Sequence, residues 1–151
     1  MKTDSNKCTS QLLRKVSLVT MAFVLFIIGG YIYVVFRPMS LRMFSWFESI
    51  EIMDAIDMHR LNPILKTDSS FIIYSLPNGL WATSYILIMD AIWAPSIKMQ
   101  ILFGTIIPII GILSELLQSA GILKGTFDTR DLLCYAIPYI GYVLLKLLSS
   151  T

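Results

Sequence analysis

The sequence predicts an all-α integral membrane protein with four transmembrane helices and an interfacial helix in the first external loop. Hydrophobic residues make up 56% of the 151 residues and charged residues only 15%, whereas soluble domains carry roughly 25% charge. The mean hydropathy is +0.71, and several apolar runs approach the roughly 20 residues that a helix needs to cross a bilayer. A net charge of +2 provides no basic stripe for nucleic acid. These values exclude a soluble globule, a disordered chain and a nucleic-acid-binding protein.

The first span is predicted at 16–36, an uncharged run of 21 residues with basic residues on both sides. Residues 1–15 precede it as a polar, cytoplasmic tail, and 16–151 form the membrane domain. No small-residue cleavage pattern follows the run, which indicates a retained helix and not a signal peptide. Gly29 is tolerated in lipid, where it lets a neighbouring helix approach closely.

The second span is predicted at 77–95. The uncharged run 69–89 contains Pro77-Asn78-Gly79, and a proline in a helix interior removes a hydrogen bond and clashes one turn back. We therefore expect the span to begin near Pro77, with Phe71 to Ser75 as a short lead-in at the interface.

This second span places Asp90 inside the membrane, near the far end of the helix. We expect Asp90 to meet Arg14 or Lys15 at the end of the first span, or to extend to the headgroups, because a charge within the bilayer is costly unless it is paired. Trp81 and Trp93 are interpreted as interfacial anchors of the same helix.

The third and fourth spans are predicted at 99–119 and 128–148. Each contains an internal proline, Pro108 in the third and Pro138 in the fourth, so each is expected to kink. Asp128 is expected at the N-cap of the fourth helix. Asp131 follows three residues later, and a carboxylate there opposes the positive helix end.

The orientation is predicted from the positions of lysine and arginine. The 12 basic residues divide equally between the two sides, and we let the first helix decide, because it usually dominates. Its leading flank is the more basic, so both termini are predicted to be cytoplasmic. Cys8 lies in the tail and Cys134 in the fourth apolar run, so both are predicted to be free thiols.

The external segment 38–68 is predicted to contain an interfacial helix. Its aromatic face of Phe44, Trp46 and Phe47 is expected to be buried. The apolar face then rotates, so a bend or break is expected near Ile50 or Glu51.

Acidic residues are frequent in this external segment and are followed by a single histidine. The set lacks the glycine turn and the ligand order of a calcium loop, and one histidine without ligand partners is not a zinc site. We interpret the set as a solvated polar face and assign no metal or cofactor. Its members are Glu48, Glu51, Asp54, Asp57 and His59.

Five polar residues are the candidate ligand-binding residues, because they converge where the third and fourth spans meet. Glu115 and Gln118 share one helix face at i and i+3, and a short glycine-containing loop brings the start of the fourth helix to the same membrane side. Two structural alternatives stay open: the aspartates only cap the helix, and Glu115 only pairs with the arginine. The five are Glu115, Gln118, Asp128, Arg130 and Asp131.

This pattern resembles the VanZ-like family of small bacterial membrane proteins, named for a teicoplanin-resistance member. The shared features are Glu-x-x-Gln on one span, a short loop, Asp-x-x-Asp-Leu opening the last span, and a later glycine. They cover roughly the final third of the chain. The matching positions are Glu115, Gln118, Asp128, Asp131 and Gly141.

The resemblance implies a bacterial inner-membrane protein that faces the cell envelope, with a link to glycopeptides or cell-wall lipids. A basic residue usually precedes the family's first aspartate, and Lys124 or Arg130 is its candidate counterpart. The family's Asp-Lys-x-x-His motif near the second span has no counterpart, because Asp68-Ser69-Ser70-Phe71 stands there.

Three functions follow in order of preference. The first is a binding or accessory protein for an envelope lipid or glycopeptide-like ligand. The second is a structural subunit of a membrane complex, and the third is an intramembrane enzyme acting on a lipid-linked substrate. The enzyme ranks last because the sequence offers no nucleophile with a base, no metal triad and no phosphate loop, so no catalytic residue is assigned.

Overall fold

The structure, a computed structural model, describes the backbone of residues 2–149 and the side chains of residues 8–149. This described part contains helices and no strands. The helices are α1 Lys2–Phe36, α2 Arg42–Ser49, α3 Met53–Leu61, a π-helical turn Phe71–Ser75 that continues as α4 Leu76–Ile92, α5 Ile97–Gly104, α6 Ile106–Ser119 and α7 Thr129–Ser149.

Four helical segments of the described chain are long and apolar enough to cross a membrane: Cys8–Phe36, Phe71–Ile92, Ile97–Ser119 and Thr129–Ser149. The predicted all-α membrane fold is therefore confirmed. The helix α1 also runs through the residues ahead of the first apolar run, so the predicted polar tail is helical from Lys2 onward.

The second spanning helix begins earlier than predicted, at Phe71 and not at Pro77, and it ends at Ile92 and not near Pro95. Proline has no N–H to donate one turn back, and the structure absorbs this loss by widening the preceding turn. The Leu76 N–H bonds to the Phe71 carbonyl, five residues earlier. A single π-helical turn thus carries the helix past Pro77 without a break.

The earlier start changes the role of Trp81. The residue lies ten positions inside the helix, where its indole N–H donates to the Phe26 carbonyl at 3.3 Å. Gly29 faces the indole so closely that an added Cβ would lie 2.8 Å from Nε1. Trp81 is therefore a packing residue between α1 and α4, and its assignment as an interfacial anchor is wrong. The ring of Trp93 stacks on Phe103 at 4.7 Å.

The helix α4 lies at the centre and contacts α1, α5, α6 and α7. Its closest neighbour is α1, where Ala22 and Ala82 are fully buried and the Ser84 hydroxyl donates to the Ala22 carbonyl at 2.8 Å. Small residues of this kind let two membrane helices approach closely and pack by contact.

The third span is interrupted at Thr105, which separates α5 from α6. This position lies one turn before Pro108, where the missing N–H and the ring disturb the helix, so the interruption agrees with the predicted kink. The helix α7, by contrast, continues through Pro138 without interruption.

Two short helices, α2 and α3, lie between the first and second spans. The break between them falls at Ile50 to Ile52 and confirms the predicted bend. Phe44 is buried at 4% exposure, but Trp46 is 63% exposed, contrary to the prediction. Two residues correspond to about 200° around a helix, so a face that packs through Phe44 turns Trp46 away.

The helix α3 is held against α1 through Arg60. Its guanidinium donates to the Val34 carbonyl and lies 5.3 Å from the centre of the Phe44 ring. Glu48, Glu51, Asp54 and Asp57 are exposed, and His59 Nδ1 lies 2.8 Å from the Ala55 carbonyl oxygen. This arrangement is that of a solvated polar face.

The bundle has two polar ends, the Arg130 end and the Asp90 end. The Arg130 end comprises the last turn of α1, the π-helical turn, the last turns of α6 and the first turns of α7. The Asp90 end comprises the polar residues around Asp90 and Lys146, near the last turns of α4 and α7.

Candidate functional site

The connection between α6 and α7 brings the predicted site residues to the Arg130 end. The helix α6 ends in a Schellman motif, in which the Gly121 N–H bonds to the Gln118 carbonyl at 3.0 Å and the Ile122 N–H to the Leu117 carbonyl at 2.9 Å. Gly121 has φ +71°, a left-handed conformation that glycine adopts at little cost. The tight ending turns the chain back so that α7 begins beside α6.

Glu115 is buried, at 6% exposure, and its Oε2 accepts a hydrogen bond from the Asp128 backbone N–H at 3.2 Å. The prediction that Glu115 faces inward, next to the start of the fourth span, is confirmed. The alternative in which Glu115 pairs with Arg130 is not realised, because the guanidinium is directed to Ser70.

Asp128 is the N-cap of α7, as predicted. Its Oδ1 accepts from the Arg130 backbone N–H at 2.8 Å, and its carbonyl accepts from the Leu132 N–H at 3.1 Å. A side-chain oxygen that satisfies a free N–H in the first turn is the defining contact of an N-cap. Asp128 therefore has a structural role whatever else it does.

Asp131 stands at the third position of α7. From there a carboxylate can reach back to the N–H of the N-cap residue in a capping box, but here that N–H is taken by Glu115 from the neighbouring helix. As a result, Asp131 Oδ1 is buried and has no hydrogen-bond partner in the described part of the chain.

Gln118 lies on the α6 side of this group. Its Nε2 donates to the Ser114 hydroxyl at 3.3 Å, and its side chain covers Gly125, where an added Cβ would lie 2.6 Å from Oε1. Gln118 thus packs against the α6–α7 connection, and its hydrogen bond stays within α6.

Arg130 is directed away from α6. Its guanidinium donates to the Ser70 hydroxyl at 2.9 Å, and this contact is exposed. Ser70 directly precedes the π-helical turn, so the contact ties the start of α7 to the start of the second span. Ser70 was not predicted as a site residue. The one feature of the sequence that could have indicated it is its position just before an apolar span.

A groove begins at Arg130 and has a volume of about 470 Å³. Apart from Arg130 and Thr83, its walls are almost entirely apolar, and they come from α1, the second span and α7. This volume falls within the roughly 300–1,000 Å³ of ligand pockets. The residues that form its long walls include Leu25, Leu76, Leu80, Leu133 and Ile137.

The Arg130 end also holds every buried side-chain N or O atom that lacks a hydrogen-bond partner in the described part of the chain. These atoms are Arg37 Nε, Ser75 Oγ and Asp131 Oδ1. Arg37 directly follows α1, Ser75 lies in the π-helical turn and Asp131 lies in α7, and the turn contacts both helices. Buried polar groups in proteins are nearly always paired, so this concentration at one end distinguishes it from the rest of the bundle.

The Asp90 end forms a second polar cluster, and there every partner is in place. Asp90 is 4% exposed and pairs with Arg14 Nη2 at 3.1 Å, as predicted, and also with Lys146 Nζ. Its Oδ1 accepts from the Tyr142 hydroxyl at 3.4 Å. The pairing with Lys146 was missed, although an acid inside a span requires a base at the same depth, and α7 offers Lys146 there.

Gln100 completes the Asp90 cluster at 1% exposure. Its Nε2 donates to the Asp90 carbonyl at 2.9 Å, and its Oε1 accepts from Lys146 Nζ at 3.0 Å. The cluster links α1, α4, α5 and α7 through side chains that satisfy one another. We therefore interpret it as structural.

The Arg130 end combines three features that a ligand could contact. Asp131 offers a buried acceptor, Arg130 offers an exposed guanidinium, and the groove offers an apolar surface beside it. Among the described residues, no group of three His, Cys, Asp or Glu side chains is arranged to hold a metal ion. Cys134 lines the groove as a free thiol.

The four spanning helices make the chain a multi-pass, all-α membrane protein. Comparison with family models, characterised proteins and solved structures gives no match. The resemblance to the VanZ-like family accordingly rests on the sequence positions given above.

Proposed function

We propose that this chain is a VanZ-like bacterial membrane protein that binds a cell-envelope ligand or lipid at its Arg130 end, as a binding or accessory protein. We place it in the inner membrane with both termini cytoplasmic, so the Arg130 end faces the envelope. The candidate ligand-binding residues are Glu115, Gln118, Asp128, Arg130 and Asp131.

The observation that carries this proposal is the set of unpartnered buried atoms at the Arg130 end. Leaving one buried polar group unpaired costs about 1–3 kcal/mol, and the Asp90 end shows that this bundle can satisfy its polar groups fully. A ligand with hydrogen-bond donors would satisfy Asp131 Oδ1, which supports a binding role for this end.

The experiment is native mass spectrometry of the purified protein after incubation with a bacterial polar lipid extract. Wild type should retain one extract molecule per chain. Asp131→Ala should weaken retention by about tenfold to a hundredfold, because a hydrogen bond to a charged group is worth about 1.5–3 kcal/mol. The matched control is Asp57→Ala, which removes an exposed acid of α3.

Glu115→Gln provides a second test. Glutamine keeps an acceptor for the Asp128 N–H, so the fold and the abundance should be preserved. We expect weaker retention from the loss of charge alone. Equal retention by wild type, Asp131→Ala and Glu115→Gln would contradict the proposal. It would favour the structural-subunit alternative, whereas a change in the mass of the retained molecule with time would indicate the enzyme.

A further inference from the structure

We infer that the groove at Arg130 is a phospholipid site, in which one acyl chain lies between the second span and α7 and the phosphodiester binds the Arg130 guanidinium. This inference rests on the proposed function and names the class of ligand. The observations that carry it are the position of Arg130, the length and lining of the groove, and the balance of charge around it.

The position of Arg130 is that of a residue at headgroup depth. It lies in the first turn of α7, directly at the start of a spanning helix. Its guanidinium is exposed, and its side-chain hydrogen bond goes to the neutral hydroxyl of Ser70. A guanidinium has five N–H donors, so most of them are free to bind a phosphate, which arginine does in a bidentate manner.

The length of the groove fits an acyl chain. On α7 the lining residues run from Arg130 to Pro138, which corresponds to about 12 Å along a helix. One leaflet of a bilayer core about 30 Å thick is about 15 Å deep. The groove therefore extends from headgroup depth through most of one leaflet.

The lining of the groove excludes a soluble anion as the main occupant. Its walls are apolar below Arg130, and Phe71, Leu133 and Ile137 are exposed along it. It therefore opens onto the lipid-facing surface of the bundle. A soluble phosphate would contact the guanidinium and leave the apolar surface uncovered, whereas a phospholipid covers both.

The balance of charge restricts the headgroup. Arg130 is the one lysine or arginine among the described residues that line the groove, and the guanidinium of Arg37 lies over the rings of Tyr33 and Tyr74, at 5.0 and 4.9 Å. The carboxylates of Asp128 and Asp131 lie in the same turn of α7. One guanidinium with acids nearby suits a singly charged phosphodiester and disfavours a pyrophosphate.

Asp131 directly follows Arg130 in the chain, but its unpartnered Oδ1 is buried and Asp131 is not among the residues that line the groove. We therefore place the phosphodiester on Arg130 and assign no contact to the headgroup beyond it. The preferred lipid is a singly charged phosphodiester glycerolipid, such as phosphatidylglycerol.

The test compares three lipids, again by native mass spectrometry of the full chain. Phosphatidylglycerol carries a phosphodiester and a net negative charge, phosphatidylcholine carries the same phosphodiester with a quaternary ammonium that cancels this charge, and diacylglycerol lacks the phosphate. Wild type should bind phosphatidylglycerol at least tenfold more tightly than diacylglycerol, with phosphatidylcholine between them. Equal binding of phosphatidylglycerol and diacylglycerol would overturn the inference.

Variants then separate the headgroup from the groove. Arg130→Gln should reduce phosphatidylglycerol binding about tenfold, leaving diacylglycerol binding unchanged, and Arg42→Gln is its control on exposed α2. Ile137→Trp should fill the groove and reduce binding of every lipid at least tenfold. The matched control, Ile140→Trp, places the same ring on another exposed α7 position and should have no effect.

A second groove variant, Leu133→Trp, keeps the test decisive if Ile137→Trp does not fold. Phosphatidylglycerol binding that neither Arg130→Gln nor a groove variant reduces would overturn the inference. If Asp131→Ala nevertheless weakens retention of a molecule from the lipid extract, the proposed function is supported even though the phospholipid inference is overturned. If Arg130→Gln and the groove variants weaken lipid binding but Asp131→Ala does not, the phospholipid site is supported and the proposed role of the buried Asp131 acceptor is contradicted.

Discussion

At the scale of single residues, Asp90 is held by two cations that differ in exposure. The side chain of Lys146 is 10% exposed, whereas that of Arg14 is 56% exposed. A buried charge that loses its partner is strongly destabilised, while a solvent-exposed ion pair contributes about 0–1 kcal/mol. The two contacts therefore have different consequences for stability, although they involve the same carboxylate.

We predict that Lys146→Ala lowers the free energy of unfolding by about 3–5 kcal/mol, because it leaves Asp90 buried with one exposed partner. Arg14→Ala should lower it by less than about 1 kcal/mol. Unfolding of the purified protein in detergent, followed by circular dichroism, measures both. A double variant, Asp90→Leu with Lys146→Leu, should recover most of the loss, and equal effects of the two single variants would contradict this account.

The partners of Asp90 were only partly predictable from the sequence. The demand of a buried carboxylate for a cation predicted Arg14 or Lys15, which border the first apolar run, and the structure shows the pair with Arg14. Lys146 lies in the last span, and only the packing of α4 against α7 brings it to Asp90. At the other end, Glu115 and Asp128 were placed correctly because a short loop forces the helix ends together, but no pattern indicated that Arg130 would reach Ser70.

At the scale of elements, the helices α2 and α6 end in the same way with different residues. In both, two backbone N–H groups just beyond the helix bond back to carbonyls of its last turn. The donors are Ile52 and Glu51 after α2, and Ile122 and Gly121 after α6. The left-handed position is Gly121 in α6 and Glu51, with φ 58°, in α2. A residue other than glycine pays about 1–2 kcal/mol for this conformation.

We predict that Glu51→Gly stabilises the end of α2 by about 0.5–1 kcal/mol. Glycine removes the cost of the left-handed conformation, but part of this gain is lost because glycine has more conformational freedom in the unfolded chain. The amides of Glu51 and Ile52 should exchange with solvent about two to five times more slowly, as measured by hydrogen exchange. The control, Gly121→Ala, should speed exchange at Ile122. Unchanged protection in both variants would count against a conformational cost at these positions.

The prolines show why helix boundaries were harder to predict than helix identities. Pro77 and Pro108 both introduce a missing N–H and a bulky ring into a helix, yet the helix adapts differently at the two positions. Before Pro77 one turn widens to a π-helix and the span continues, and before Pro108 the helix is interrupted at Thr105. The same local chemistry therefore has two structural outcomes, and the local sequence does not distinguish them.

At the scale of the whole molecule, four spans return the chain to the side from which it started. Both ends of the described chain therefore lie on one side, together with the Asp90 cluster, and the Arg130 end lies on the other. Equal numbers of basic residues at the two sides make orientation the least constrained property of the sequence. The side on which Cys8 lies decides which leaflet supplies the ligand.

We predict that a membrane-impermeant thiol reagent applied to intact cells does not label Cys8, because a basic flank ahead of the first span favours a cytoplasmic N-terminal segment. Cys8 is exposed and free, so the same reagent should label it once the membrane is permeabilised. Labelling is measured by mass spectrometry in a Cys134→Ala background, which leaves Cys8 as the single thiol.

The matched control adds Ser49→Cys at the end of α2, in the segment between the first two spans, to a chain that carries Cys8→Ala and Cys134→Ala. This thiol should be labelled in intact cells, since an odd number of spans separates it from the N-terminal segment. Labelling of Cys8 with protection of Ser49→Cys would reverse the orientation. The groove at Arg130 would then open into the cytoplasmic leaflet, and its phospholipid would have to come from that side.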